Sequence, residues 1–186
     1  MAGVKAIVTT DIDTRLAELT AALDDRTALF AQINEYLHRA HRERFSKQVS
    51  PEGKAWQALS PRYAKTKRRN ANRILVLRGH MLSWLRGQYD NDNLEFGTNQ
   101  PYGAIHHFGG TIKRKARSQD LYFKQGKDGS VGNRFVKKKN SNFMQTVQVG
   151  EYNIKIPARP WLGLSNDNKA HIVKITQRYL KTAISA

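Results

Sequence analysis

Histidine is the residue type of this chain best suited to chemistry, and four of its six copies fall in two close pairs. His106 and His107 are adjacent. Neighbouring positions on a helix point to different faces, so such a pair does not share one metal ion, and no carboxylate lies within several residues to complete a zinc site or an acid–base pair. His38 and His41 are three apart, which puts both on one side of a helix and within reach of a metal. Their surroundings read instead as an exposed basic stretch. Asp90-Asn91-Asp92-Asn93 opens like a calcium loop, but Glu95 stands where the sharp turn needs Gly, and Pro101 stands where the last carboxylate belongs. There is no Gly-rich phosphate loop ending in Lys-Ser/Thr and no Gly-x-Ser-x-Gly elbow. Cysteine is absent, which excludes thiolate metal sites, thiol nucleophiles and disulfides, and fits folding in a cytoplasm. The expectation is no catalytic residue, no metal and no cofactor: a protein that is not an enzyme.

Charge is the next strongest feature. Thirty-two Lys and Arg against fifteen Asp and Glu give +17 and a pI near 10.3, a field that draws polyanions or acidic protein surfaces. Two segments concentrate it. The first carries Lys65, Lys67, Arg68, Arg69 and Arg73. The second, residues 111–142, carries Lys113, Arg114, Lys115, Arg117, Lys124, Lys127, Arg134, Lys137, Lys138 and Lys139 against Asp120 and Asp128 alone. Both can contact phosphates in a salt-sensitive, sequence-blind way, or face an acidic partner, or stand as solvated surface. Tyr122, Phe123 and Phe135 interleave with the second set, where they can stack on bases, pack the segment itself or meet a neighbouring subunit. The start of the chain has no secretory pattern, and no run approaches the roughly 18 apolar residues of a membrane span, so no membrane partner is expected.

Periodicity supplies the elements that position these residues. Residues 4–9 read as a strand, and Asp13-Thr14 as the cap of a helix bearing Leu16, Leu19 and Leu23. A longer amphipathic helix over 25–47 carries the stripe Leu29, Phe30, Ile33, Tyr36, Leu37, Ala40 and Phe45, with Arg, Glu and His opposite. Pro51-Glu52-Gly53 breaks it. Ser60-Pro61 starts a short helix, and another, bearing Met81, Leu82, Trp84 and Leu85, is expected to close at Gly87. A strand follows through Leu94 and Phe96, then a helix from Pro101 to Phe108 closed by Gly109-Gly110. The basic segment reads as a loop or hairpin arm, and 143–149 with 152–156 as a hairpin turning at Gly150-Glu151. Ser165 caps a last helix with the stripe Ile172, Ile175, Tyr179, Leu180 and Ala183. Trp56 and Trp84 are expected in the core, and Trp161, on a turn pinned by Pro157 and Pro160, at an interface. The architecture is α+β: one domain over 1–186, with helices packed on a small antiparallel sheet and 111–142 as a basic protruding arm.

Three phrases carry a resemblance: Pro51-Glu52-Gly53 with Trp56; Tyr102 with His106, Phe108, Gly109 and Gly110; and Ile156-Pro157-Ala158-Arg159-Pro160-Trp161-Leu162-Gly163. With Ile74-Leu75 before Gly79 and Leu82, and the long first helix, their order is similar to the phage virion morphogenesis family, the tail completion proteins of Mu-like and related tailed phages. The resemblance spans about residues 25–183. It implies a structural virion protein that completes the tail and joins head to tail at the neck, made in the host cytoplasm. It further implies a ring of copies, sixfold to match the tail. The implied partners are neck, tail-tube, tail-terminator and head-connector proteins, with nonspecific contact to packaged DNA. The expected interface residues are His106, Phe108, Arg159, Pro160 and Trp161. The expected channel- or partner-facing cations are Lys65, Lys67, Arg68, Arg69, Lys113, Arg114, Lys115, Arg117, Lys137, Lys138 and Lys139. The competing reading is a sequence-nonspecific nucleic-acid-binding protein that uses the two basic segments; a nuclease using the histidines is a third.

Overall fold

Helix α2 (Thr27–Lys47) organises the larger part of the chain in the computed structural model, which describes residues 12–185. The strand expected at 4–9 lies outside the described residues. The inner face of α2 repeats every four residues: Leu29, Ile33, Leu37, His41 and Phe45 are buried, with Arg44 beside them. The first half of that face packs on α6 (Asn166–Ser185) through Ile175, with Phe30, Tyr36, Ile172 and Tyr179 around the contact. Helix α1 (Ile12–Asp24) also lies on α6. It is already helical at Ile12, so Asp13 and Thr14 lie within it and not at its cap. Helix α6 begins where the sequence indicates. Ser165 Oγ accepts from the Asn168 N–H, and Asn168 Oδ1 accepts from the Ser165 N–H, both at 3.0 Å, a reciprocal cap with Asn in the usual Glu or Gln position.

The second half of α2 meets a separate apolar cluster of Phe45, Trp56, Val76, Met81, Leu85 and Trp161. Helix α3 (Pro61–Thr66) is capped by Ser60, and α4 (His80–Ser83) leads into β1 (Leu85–Tyr89), which pairs antiparallel with β2 (Leu94–Thr98). Gly87 therefore sits inside a strand and ends no helix. A Cβ there would collide with the Asn34 side chain of α2, so glycine is required by close approach and not by a left-handed cap. Trp84, expected in the core, is 49% exposed, with the Arg86 guanidinium 5.6 Å from its ring centre. The acidic turn 90–93 has a structural task. The Asp90 carboxylate accepts from the N–H groups of Asp92 (2.7 Å) and Asn93 (2.9 Å), and these bonds hold its pKa below the usual value. Asn91 Oδ1 accepts from the Arg26 N–H at 2.7 Å and Asp92 pairs with the Arg26 side chain, fastening the α1–α2 corner.

Residues 109–156 form a second compact unit, separate from the one built by the chain up to Phe108 and from Pro157 onward. It contains two nested antiparallel ladders. Strand β3 (Gly110–Arg114) pairs with β6 (Tyr152–Ile156), and β4 (Arg117–Phe123) with β5 (Phe143–Val149). The hairpin expected between 143–149 and 152–156 is thus absent, because β5 and β6 each pair with an earlier strand. A two-residue hairpin turn needs a positive φ, and neither Gly150 nor Glu151 has one. The chain continues past that point instead of reversing. With α5 (Gly103–Phe108), the architecture is α+β, and among the described residues the strands form three two-stranded antiparallel ladders.

His41 corrects the reading of the histidines on α2. It is 1% exposed and tilted against Phe96 at 4.7 Å, and its Nδ1 lies 2.7 Å from the Leu37 carbonyl, so Nδ1 carries the proton. Nε2 is buried without a partner. Burial lowers its pKa from 6.5 to about 4. The unfolded chain therefore takes up a proton between those values that the folded chain refuses. The associated stability is complete above pH 6.5 and lost as pH falls toward 4. His41→Leu is expected to remove about 2 kcal/mol of the stability difference between pH 7 and pH 5 in urea titrations. The residual slope reflects His38, His106 and His107, which burial also shifts down. An unchanged slope would contradict this account.

Candidate interface surfaces

The three resembling phrases converge on one buried knot. Trp161 is 3% exposed and its Nε1 donates to the Gly103 carbonyl at 3.1 Å. The Trp56 Nε1 donates to the Pro160 carbonyl at 2.8 Å, and the Phe45 ring stands edge-on to Trp56 at 5.2 Å. Arg159 is 6% exposed; its guanidinium donates to the carbonyls of Gln57 (2.8 Å) and Ala58 (3.2 Å), and its N–H to that of His106 (2.9 Å). From α2, the Arg44 guanidinium donates to the carbonyls of Trp161 (3.1 Å) and Gly163 (2.8 Å) and to Asn168 Oδ1 (2.9 Å). His107 Nδ1 faces the N–H groups of Trp161 and Leu162 at 3.3 and 3.4 Å. Backbone N–H groups only donate, so that nitrogen is an unprotonated acceptor, in keeping with the burial that lowers its pKa.

These positions revise the expected interface. Trp161 and Arg159 are core residues of the chain itself. A proline-pinned aromatic turn looks the same in sequence whether it presents a side chain or packs one. Pro160 is half-buried, and so is His106, whose Nδ1 is buried without a partner. Phe108 alone of the five is open, at 76% exposed. Among the cations, Lys67 is buried with its ammonium donating to backbone carbonyls, while Lys65, Arg68, Arg69, Lys113, Arg114, Lys115, Arg117, Lys137, Lys138 and Lys139 are exposed. Arg44 was missed because a charged residue on α2 was assigned to the outer face. Its position seven residues after Leu37, on the line through His41, was the available signal.

The unit 109–156 carries open apolar groups of its own, Val131, Phe135, Met144 and Tyr152. Residues two apart on a strand share a face. On one face of the β4–β5 ladder, Leu121 and Phe123 lie with Phe143, Val147 and Val149, and Phe135 from the connecting segment reaches Phe123 at 5.3 Å. Those five are half-buried, and Phe135 is 71% exposed. The opposite face is mixed, with Tyr122 opposite an exposed Met144 beside polar pairs: Thr146 Oγ1 donates to Asp120 at 2.8 Å, and Gln148 Nε2 donates to Ser118 Oγ at 2.7 Å. The β3–β6 ladder repeats the division, with Ile112 opposite Ile154 on one face and Lys113 opposite Asn153 on the other. The connecting segment is ordered by its own bonds. Asn142 and Gln125 bond reciprocally (2.7 and 2.9 Å), and the Val136 N–H donates to the Tyr122 carbonyl at 2.9 Å. Lys138 stands over the Tyr122 ring at 6.0 Å.

Among the described residues, no group of three or more His, Asp or Glu is placed to hold a metal ion, and no helix is long and apolar enough to cross a membrane. What the geometry offers is a locked body and a cationic ribbon with an apolar face. The model of the phage virion morphogenesis family matches residues 7–181, and the chain belongs to that family. It is 25% identical over 174 residues to the Mu-like prophage FluMu G protein 2 of Haemophilus influenzae, an alignment covering 94% of this chain and 92% of that one. No solved structure matches the chain. Its role is therefore a structural one in building the phage particle, among other phage proteins.

Trp161→Ala is expected to lower unfolding stability by about 3–5 kcal/mol, through the cavity it leaves. Arg44→Leu should cost about 2–4 kcal/mol, because two buried carbonyls and the Asn168 side chain lose their donor. Phe135→Ala should stay within about 0.5 kcal/mol of the parent. Urea denaturation of the three variants checks the assignment. A Trp161→Ala protein as stable as the parent would return that residue to the surface.

Proposed function

We propose that this protein completes the phage tail and joins head to tail at the neck, as a ring of copies around the DNA channel and without a catalytic step. Six copies would match the symmetry of a tail. Neighbours along the axis are tail-tube or tail-terminator proteins on one side and head-connector proteins on the other. The observation that carries this reading is the ribbon's apolar face, Leu121, Phe123, Phe135, Phe143, Val147 and Val149, flanked by cations. Apolar surface of this kind, rimmed by polar residues, marks contact with another protein. A ring needs heterologous contacts, in which one patch meets a different patch on the next copy, and a strand pair with an apolar face suits that need. Similarity to a protein of a Mu-like prophage supports the phage setting. The non-catalytic reading is supported by the fate of the histidines: His41 is buried against Phe96, and His107 serves the backbone of the Trp161 turn.

Light scattering on the purified chain tests the contact. A discrete oligomer held by an apolar face should persist in high salt, where the screening length falls to about 3 Å. Phe135→Asp should dissociate it into a monomer that still unfolds cooperatively, with a melting temperature that no longer depends on protein concentration. In a phage lacking the gene, the parent protein should restore joined particles, and Phe135→Asp should leave heads and tails apart. Normal joining by Phe135→Asp would reject the ribbon face as the contact, and normal joining without the protein would reject the neck role.

A further inference from the structure

The first unit holds an open cleft of about 800 Å3 whose walls carry Arg68, Arg69, Arg78 and His80, with the Tyr63 ring among them. None of its lining residues is acidic. The three arginines are exposed and make no ion pair with a described residue. Four positive or proton-donating side chains thus converge without a counter-charge. Like charges repel, so the backbone beneath them has to be held by other means.

That support is visible. The Lys67 ammonium is buried under the loop and donates to the carbonyls of Asn70 (2.7 Å) and Arg73. Asn70 takes a left-handed conformation (φ 51°), and its amide donates to the Leu77 carbonyl at 3.1 Å, tying the two ends of the segment together. Gln48, at the end of α2, accepts from the Ile74 N–H at 2.5 Å and anchors the loop to the body. Arg68 and Arg69 follow the buried lysine directly, and Arg78 follows Leu77. The cleft therefore rests on a braced loop.

We propose that this cleft binds the phosphodiester backbone of duplex DNA, with Arg68, Arg69 and Arg78 as its phosphate ligands. The choice of DNA over an acidic protein rests on energetics. An exposed guanidinium gains about 0–1 kcal/mol from a solvated carboxylate. A DNA phosphate neutralised by the same group releases a condensed counterion, which adds affinity at each contact. Guanidinium forks also match phosphate oxygens in pairs. The Tyr63 hydroxyl and His80 supply further donors on the same wall. No base edge is read, so binding is indifferent to sequence. The inference goes beyond the neck role and requires neither a ring nor the ribbon.

The test measures binding of the full-length protein to a labelled duplex of roughly two helical turns by fluorescence anisotropy, across a range of NaCl concentrations. Two triple variants remove the same charge: Arg68→Ala with Arg69→Ala and Arg78→Ala in the cleft, and Lys137→Ala with Lys138→Ala and Lys139→Ala on the ribbon. The cleft triple should reduce the slope of log K against log salt by about 2–3, and the ribbon triple by less than about 1. Melting curves establish that both triples are folded. If the cleft triple is not, Arg78→Gln alone should reduce the slope by about 1. Equal losses in the two triples, or no binding by the parent, would overturn the assignment. So would displacement of the labelled DNA by poly-glutamate as readily as by unlabelled duplex, which would make the cleft a site for acidic protein.

Discussion

The buried guanidinium of Arg44 is the interaction on which the body of this protein depends. It leaves the last turn of α2 and gathers the carbonyls of Trp161 and Gly163 and the side chain of Asn168. One side chain thereby ties the central helix to the proline turn and to the first turn of α6. Burial lowers its pKa, yet a guanidinium stays charged, so the cation is held by hydrogen bonds to carbonyl groups, with the Glu52 carboxylate acting on it from a distance and no ion pair formed among the described residues. That arrangement is directional. Carbonyls of a turn face one point only if the turn has a single conformation, and Pro157 and Pro160 with Gly163 provide it. Gly163 has φ 128°, and a Cβ there would sit 3.1 Å from Pro51, so the phrase around Pro51 and the phrase around Trp161 constrain each other.

Local features of the body were legible in the sequence because short-range rules govern them. The i, i+4 stripe of α2, the Ser60 and Ser165 caps and the closing of α5 at Gly109 each depend on neighbours within a turn or two. What was not legible depended on partners far away. Gly87 reads as a cap until Asn34 is known to lie against it, and Trp161 reads as a surface anchor until Gly103 and Phe45 surround it. The 143–156 segment shows the limit most clearly. Alternation around Gly150-Glu151 is the same for a hairpin and for a long interrupted strand, and only strands β3 and β4, some thirty residues earlier, decide the pairing. The apolar face of the ribbon was half visible: Phe123 and Phe135 stood out as aromatics, whereas Val147 and Val149 needed the register.

The resembling phrases take on a physical meaning in this knot. They are far apart in sequence, and each contributes a part the others cannot replace: Trp56 binds the Pro160 carbonyl, Gly103 receives the Trp161 indole, and His107 receives the turn's N–H groups. A Cβ at Gly103 would stand 2.9 Å from the Thr98 methyl group, so the backbone there lies close to its neighbours. The resemblance that identifies the family is therefore a description of how the body is locked. The surfaces proposed for contact lie elsewhere, on residues of ordinary appearance.

Charge sets the terms on which such surfaces work. Each copy carries +17, and exposed charges on neighbouring copies repel over the roughly 8 Å that physiological salt leaves unscreened. A contact between copies, as proposed, would therefore have to gain its energy at short range from apolar area, which the ribbon offers beside its exposed cations. Repulsion that remains is relieved by any polyanion lying among the copies. Closure of the proposed ring is then coupled to its template: the apolar face supplies the attraction, and the charge makes the assembled state most favourable where DNA or an acidic partner is already present. A ring built this way would form most readily in place, with a polyanion among its copies.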